Sequence, residues 1–146
     1  MNYRRLDTAK SSLYLRAHRA GFALLGALAA LVPAVLMWGF TVDDALISIR
    51  YAHHFATGAG YSFNAHAPAT DGVTPLPWVF VLAPLSRGGD LVEALVRAKI
   101  LGVLAWTISG AALGHALAGK RVWPMLFVAA AFPIGAWSAS GMETGL

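Results

Sequence analysis

The feature that most constrains this chain is the run between Arg19 and Asp43, AGFALLGALAALVPAVLMWGFTV, 23 residues without a charge. As a helix it covers roughly 35 Å, more than the roughly 30 Å hydrocarbon core of a bilayer. A cleaved signal peptide is the rival reading, but its apolar core runs to only about 7–15 residues, and no convincing small-x-small cleavage site follows. Composition points the same way: 58% of the 146 residues are hydrophobic and 12% charged, against roughly a quarter charged in soluble domains. A core of this size cannot bury that much apolar surface in water. The expected fold class is all-α integral membrane.

Charge then orients the chain. Arg4, Arg5, Lys10, Arg16 and Arg19 against Asp7 give +4 in the first twenty residues, which equals the net charge of the whole chain. A basic tail can serve nucleic acid, but here it abuts an apolar span, so the positive-inside rule applies and no nucleic-acid partner is expected. Residues 1–19 thus read as a cytoplasmic tail and 20–42 as the first transmembrane helix, with Pro33 kinking it and Trp38 and Phe40 near the far interface. The chain has no cysteine, which removes disulfides, thiol nucleophiles and thiolate metal sites.

Further along, 72–86 is apolar but short, about 22 Å as a helix, and carries Pro75, Pro77 and Pro84. It reads as a re-entrant or interfacial segment. Asp90 is a plausible N-cap for a transmembrane helix over 91–119, and a further one spans 122–142, with Pro124 and Pro133 inside it. With Lys120-Arg121 cytoplasmic, three crossings result and residues 143–146 open a second outer loop. If 72–86 also crosses, Glu143 falls inside instead. The expected location is the inner (plasma) membrane, multi-pass, N-terminus in the cytoplasm. The chain stops at SASGMETGL without a closing polar segment, and so reads as truncated.

The polar chemistry collects in the outer loop, 43–71. Thr41 is the expected N-cap of an amphipathic surface helix, with Asp43 and Asp44 in its first turn. Arg50, His53, His54 and Thr57 form its polar stripe at i, i+3, i+4 and i+7, and Gly58 and Gly60 end it. Asp43 and Asp44 either complement the helix dipole or supply a general base, since a carboxylate at a low-dielectric boundary can have its pKa raised. His53 and His54 point about 100° apart and cannot easily grip one ion; a solvated or headgroup-facing pair is expected. Arg50 pairs either with Asp43, seven residues back, or with a lipid phosphate. His115 reads as a packed, hydrogen-bonded residue, Trp78 as an interfacial anchor, and Arg87, Arg97 and Lys99 as interface anchors. Gly110 and Gly114 form a G-x-x-x-G pair suited to close helix packing.

Taken together, DDALISIRYAHHFATGAGYSFN, then DGVTPLPW, then SGMETGL resemble the N-terminal part of GT-C glycosyltransferases, in the group that includes actinobacterial terminal arabinofuranosyltransferases. The pattern D-D-A-[FY]-I-[ST]-x-R-Y-A, G-x-G, N, [ED]-G-x-T-x-x-L-W and S-G-M-E-T is met by residues that include Asp43, Asp44, Arg50, Tyr51, Asn64, Thr74, Trp78 and Glu143. The chain departs from it at Ala65 and Pro77, where the family usually has proline and leucine.

The resemblance implies a multi-pass enzyme that moves a sugar from a polyprenyl-phosphate donor to a cell-envelope glycan or lipid acceptor on the outer face. It implies Asp44 or Asp43 as the acceptor's base and Glu143 near a second acidic site. Arg50, Tyr51, His53, His54, Asn64, Thr74 and Trp78 are the candidate substrate-binding residues. Some members need a divalent metal and others do not, so no cofactor and no metal ligand is assigned. A fragment lacking the family's remaining helices is expected to be inactive alone. The alternative is a small non-catalytic multi-pass anchor or scaffold, with membrane lipids as its partners.

Overall fold

The computed structural model describes residues 3–70, 72–73, 76–119 and 122–142, with side chains from 13 onward. Among the described residues there are six helices and no strand. The chain is all-α.

Helix α1 (Tyr3–Leu36) is 34 residues long, about 51 Å at 1.5 Å per residue. It starts well before the apolar run, because leucine, alanine, lysine and arginine are all good helix formers and nothing before Gly21 breaks the pattern. The basic stretch is therefore largely part of the helix and not a separate tail. Within α1, Leu13–Leu36 is long and apolar enough to cross a membrane, and among the described residues it is the one stretch that meets both conditions. Pro33 falls in the last turn of the helix, which ends at Leu36.

Helix α2 (Asp43–Ala56) and the short α3 (Leu76–Leu85) follow, joined by an irregular loop. Helix α4 (Leu91–Ala116) then runs back antiparallel to α1. Asp90 caps it as expected, accepting the Glu93 N–H at 2.8 Å. It has the length to cross, but its first nine residues carry Glu93, Arg97 and Lys99. His115 is exposed in its last turn, not packed as its apolar surroundings in sequence suggest.

The α1–α4 contact is made through glycine. A Cβ on Gly110 would lie 2.6 Å from the Ala30 Cβ, and one on Gly114 3.1 Å from the Ala23 Cα. Gly26 faces Gly110 in turn, so a Cβ there would press on its carbonyl group. Small residues let the two backbones approach and gain dispersion contact, the main source of helix association in lipid. The G-x-x-x-G pair thus serves an internal contact.

The run 122–142 is not one helix. It divides into α5 (Trp123–Ala130) and α6 (Phe132–Ser138), broken at Ala131 with φ −80° and ψ 55°. Pro133 has no N–H for the Ala129 carbonyl, and its ring would collide with that carbonyl in a continued helix. At eight and seven residues, each piece covers only about 10–12 Å. Helix α6 is wedged between α1 and α4. A Cβ on Gly135 would lie 2.8 Å from the Pro33 Cβ, and one on Gly102 would meet the Ser138 carbonyl.

Two cores result. One lies inside the bundle around Ala34, Val103 and Ala139, and the other joins α2, α3 and the start of α4 through Ile49, Tyr51, Trp78, Val79, Leu82 and Ala98. The bundle's outer surface stays apolar, with Ile108 66% and Leu126 70% exposed. Apolar area on this scale is unusual for a surface facing water and ordinary for one facing lipid.

Candidate functional site

The acidic pair stands where α1 hands over to α2. Residues 37–39 form a turn, and Val42, extended at φ −105° and ψ 147°, is the N-cap with no side-chain cap bond. Thr41 is not the cap. Its Oγ1 accepts instead from Lys99 Nζ at 2.9 Å, and the same ammonium donates to the carbonyls of Trp38 at 2.6 Å and Phe40 at 3.1 Å.

Lys99 is therefore an internal tie and not an interface anchor, buried to 5% exposure with its ammonium 5.2 Å from the Trp38 ring centroid. An ammonium has three donors, and all three are used. Arg97 is likewise internal: it donates to the carbonyls of Leu85 at 2.8 Å and Arg87 at 3.1 Å, and pairs with Glu93 at 2.7 Å. It laces the α3–α4 turn, to which Arg87 contributes its backbone.

Held by this corner, Asp43 and Asp44 are both exposed, and the Asp44 N–H donates to Asp43 Oδ1 at 3.2 Å. Directly below, Ala45 is fully buried and lies 3.6 Å from where a Cβ on Gly141 would sit. Gly141 has φ +89°, and its Cβ would also approach Leu95 Cδ1 to 2.9 Å. Only glycine fits there without strain. Trp78 is 3% exposed and its indole N–H donates to the Gly141 carbonyl at 3.3 Å. That geometry overturns the reading of Trp78 as an interfacial anchor, because an indole whose N–H finds a partner inside can be buried whole. Asp71, Thr74, Glu143 and Thr144 lie outside the described residues.

Along α2 the side chains divide sharply. Ala45, Ser48, Ile49, Tyr51 and Ala52 face the core. Asp43, Arg50 and His54, at i, i+7 and i+11, share another face. Arg50 does not pair with Asp43. Its guanidinium carbon sits 4.3 Å above the Phe63 ring, and the one ion pair among the described residues is Arg97–Glu93. Seven helical residues separate the two side chains by roughly 10 Å along the axis, whereas the 57–70 loop brings Phe63 directly beneath the guanidinium.

The histidines are not a solvated pair. Both are half-buried and bound to different segments, His53 Nδ1 3.2 Å from the Ser86 carbonyl and His54 Nδ1 2.8 Å from that of Ser62. A carbonyl only accepts, so in each neutral ring Nδ1 carries the proton and Nε2 is the basic nitrogen. His53 also lines an open cleft of about 850 Å³ with Thr57, Asp90 and Glu93. Among the described residues no group of three or more His, Cys, Asp or Glu side chains could hold a metal ion.

Tyr51 is 2% exposed, with its hydroxyl 2.6 Å from Thr70 Oγ1 and its ring 5.0 Å from that of Tyr61. A Cβ on Gly72 would come within 2.9 Å of Tyr51 Cζ, so the loop closes tightly over this ring. Tyr51 organises the loop from within. Asn64 stays exposed on that loop, and its carbonyl accepts from Ser62 Oγ at 2.6 Å and from the Ala67 N–H at 3.1 Å.

The structure thus gathers Asp43, Asp44, Arg50, His54, Asn64 and the Trp78–Gly141 contact on one end of the bundle. The internal tie made by Lys99 and the close packing at Gly141 are not foreseen in the sequence, where Lys99 reads as an interface anchor and Gly141 only as part of the S-G-M-E-T motif. The available signal was a lone lysine between Ala98 and Ile100 in an otherwise apolar stretch. Comparison with protein-family models, with curated proteins and with solved structures finds no match to this chain.

Proposed function

We propose that this chain is the front part of a multi-pass GT-C-type membrane glycosyltransferase, which takes a sugar from a polyprenyl-phosphate donor and passes it to a cell-envelope glycan or lipid on the outer face. The observation that carries this reading is convergence. A Cβ on Gly141 would lie 3.6 Å from the Ala45 Cβ, in the first turn of α2 that Asp43 and Asp44 open, and Trp78 is hydrogen-bonded to Gly141 across 63 positions of sequence. The three stretches on which the resemblance rests come together at one end of the bundle. An anchor or scaffold has no need of that convergence, and the G-x-x-x-G face it would offer a partner is occupied by α1.

In this reading one exposed carboxylate of α2 accepts the proton of the acceptor hydroxyl as it attacks the anomeric carbon, while the polyprenyl phosphate departs. Arg50, held in place by the Phe63 ring, faces the same side and has the planar fork that suits a phosphate. His54, basic at Nε2, lies one turn further along the same face.

The test is transfer of labelled sugar from a polyprenyl-phosphate donor by membranes carrying the protein at its natural length. Replacing both Asp43 and Asp44 by asparagine is expected to abolish transfer while membrane insertion continues. Normal transfer by the double variant would sink the proposal.

A further inference from the structure

At the opposite end of the bundle is a second cavity that the sugar-transfer reading does not use. We infer that it binds the phosphate headgroup of an anionic phospholipid. The cavity holds about 610 Å³ between the first described side chains of α1, among them Tyr14, Leu15, His18 and Arg19, and the turn after α4 at Ala118 and Gly119. It exists because α4 stops short: Gly114 packs against Phe22, the helix ends at Ala116, and Gly119 at φ +79° turns the chain away. Helix α1 continues past that point, so Tyr14 to Arg19 stand beside an opening and not beside another helix.

Position and charge identify the occupant. The apolar crossing stretch begins at Leu13, which places Tyr14 to Arg19 in its first two turns, at headgroup depth. The first twenty residues carry +4, Lys120 and Arg121 follow Gly119 directly in sequence, and among the described residues no acidic side chain lines the cavity. Arg19 offers the guanidinium fork that meets a phosphate through two parallel N–H bonds. Tyr14 adds a hydroxyl at the depth where interfacial tyrosines sit. The His18 ring lies 4.9 Å from that of Phe22 and forms part of the wall. Deeper along α1, Leu24 and Leu28, 61% and 48% exposed, give an apolar border on the side where acyl chains run. A soluble anion would need the charge alone; a lipid uses the charge and the border together.

The test uses the full chain in nanodiscs containing equal mole fractions of phosphatidylglycerol and phosphatidylcholine, with retained lipid read by native mass spectrometry. The expected result is selective retention of phosphatidylglycerol, reduced roughly fivefold by Arg19→Gln, the effect of about one basic contact near an anionic headgroup. Arg16→Gln removes the same charge from the same helix but off the cavity lining, and should leave retention unchanged. Ala118→Leu narrows the cavity at constant charge and should lower it. Three results would each overturn the inference. These are equal losses from Arg16→Gln and Arg19→Gln (diffuse attraction), equal retention of the two lipids, and displacement of the bound lipid by millimolar inorganic phosphate (a free-anion site).

Discussion

Replacing Lys99 by methionine tests what holds the acidic pair in place. Methionine keeps most of the stem and its packing, so the change falls on the ammonium and its three bonds, at 2.6 Å to Trp38, 3.1 Å to Phe40 and 2.9 Å to Thr41. Hydrogen bonds from a charged donor contribute roughly 1.5–3 kcal/mol each. The lower end applies here, because Trp38 and Thr41 are exposed residues whose oxygens can rehydrate once released.

Against this, the variant no longer has to desolvate a buried charge, a term of several kcal/mol per ion. The net loss is about 2 kcal/mol, confined to the corner between α1 and α2, which is roughly a 30-fold change in a local opening equilibrium. Amide hydrogen exchange in detergent or nanodiscs reads it directly: residues 37–45 should exchange about 30-fold faster, while the α4 amides between 102 and 114 keep their protection. Unchanged exchange at the corner would refute the role assigned to Lys99. A uniform rise across α1 and α4 would refute its local character.

Other expectations follow from the same geometry. Gly110→Ala places a methyl group 2.6 Å from the Ala30 Cβ, and overpacking of this kind costs about 1–3 kcal/mol; a lower midpoint in detergent unfolding checks it, whereas Gly39→Ala, with open space around it, should not lower it in this way. Tyr51→Phe loses the 2.6 Å contact with Thr70, about 1 kcal/mol, and should hasten limited proteolysis in the 57–70 loop without unfolding the bundle. Gly141→Ala forces a side chain into a left-handed backbone at φ +89° against Leu95, costing about 1–3 kcal/mol. It should depress sugar transfer by the natural-length protein more than it depresses membrane insertion, as a paired transfer and insertion assay would show.

Much of the local structure is legible in the sequence. An apolar run with a basic flank leaves a helix little choice, and α2 begins and ends where its acids and glycines place it, because capping and backbone conformation are short-range. Asp90 capped α4 for the same reason. The readings that fail are those of Lys99, Arg97 and Trp78 as interface anchors. Each of these three side chains is turned inward onto a backbone carbonyl. Those carbonyls lie between 10 and 63 positions away in sequence, so no periodicity within the helix could reveal them. The long final run failed differently: its mean apolarity suited a crossing, but one proline and the crevice between α1 and α4 divided it.

The amino-acid sequence by itself settles that the chain is helical, that one segment suits a bilayer, and that two carboxylates open a helix just beyond it. These are properties of composition, period and near neighbours. Only the tertiary structure decides that Gly141 lies close to Ala45 in the turn those carboxylates open, that the guanidinium of Arg50 rests on Phe63, and that the G-x-x-x-G face is closed by α1. The physical reason is that burial and hydrogen bonding choose partners by distance in space. A helix pair packed through glycine brings together residues that the linear sequence keeps far apart.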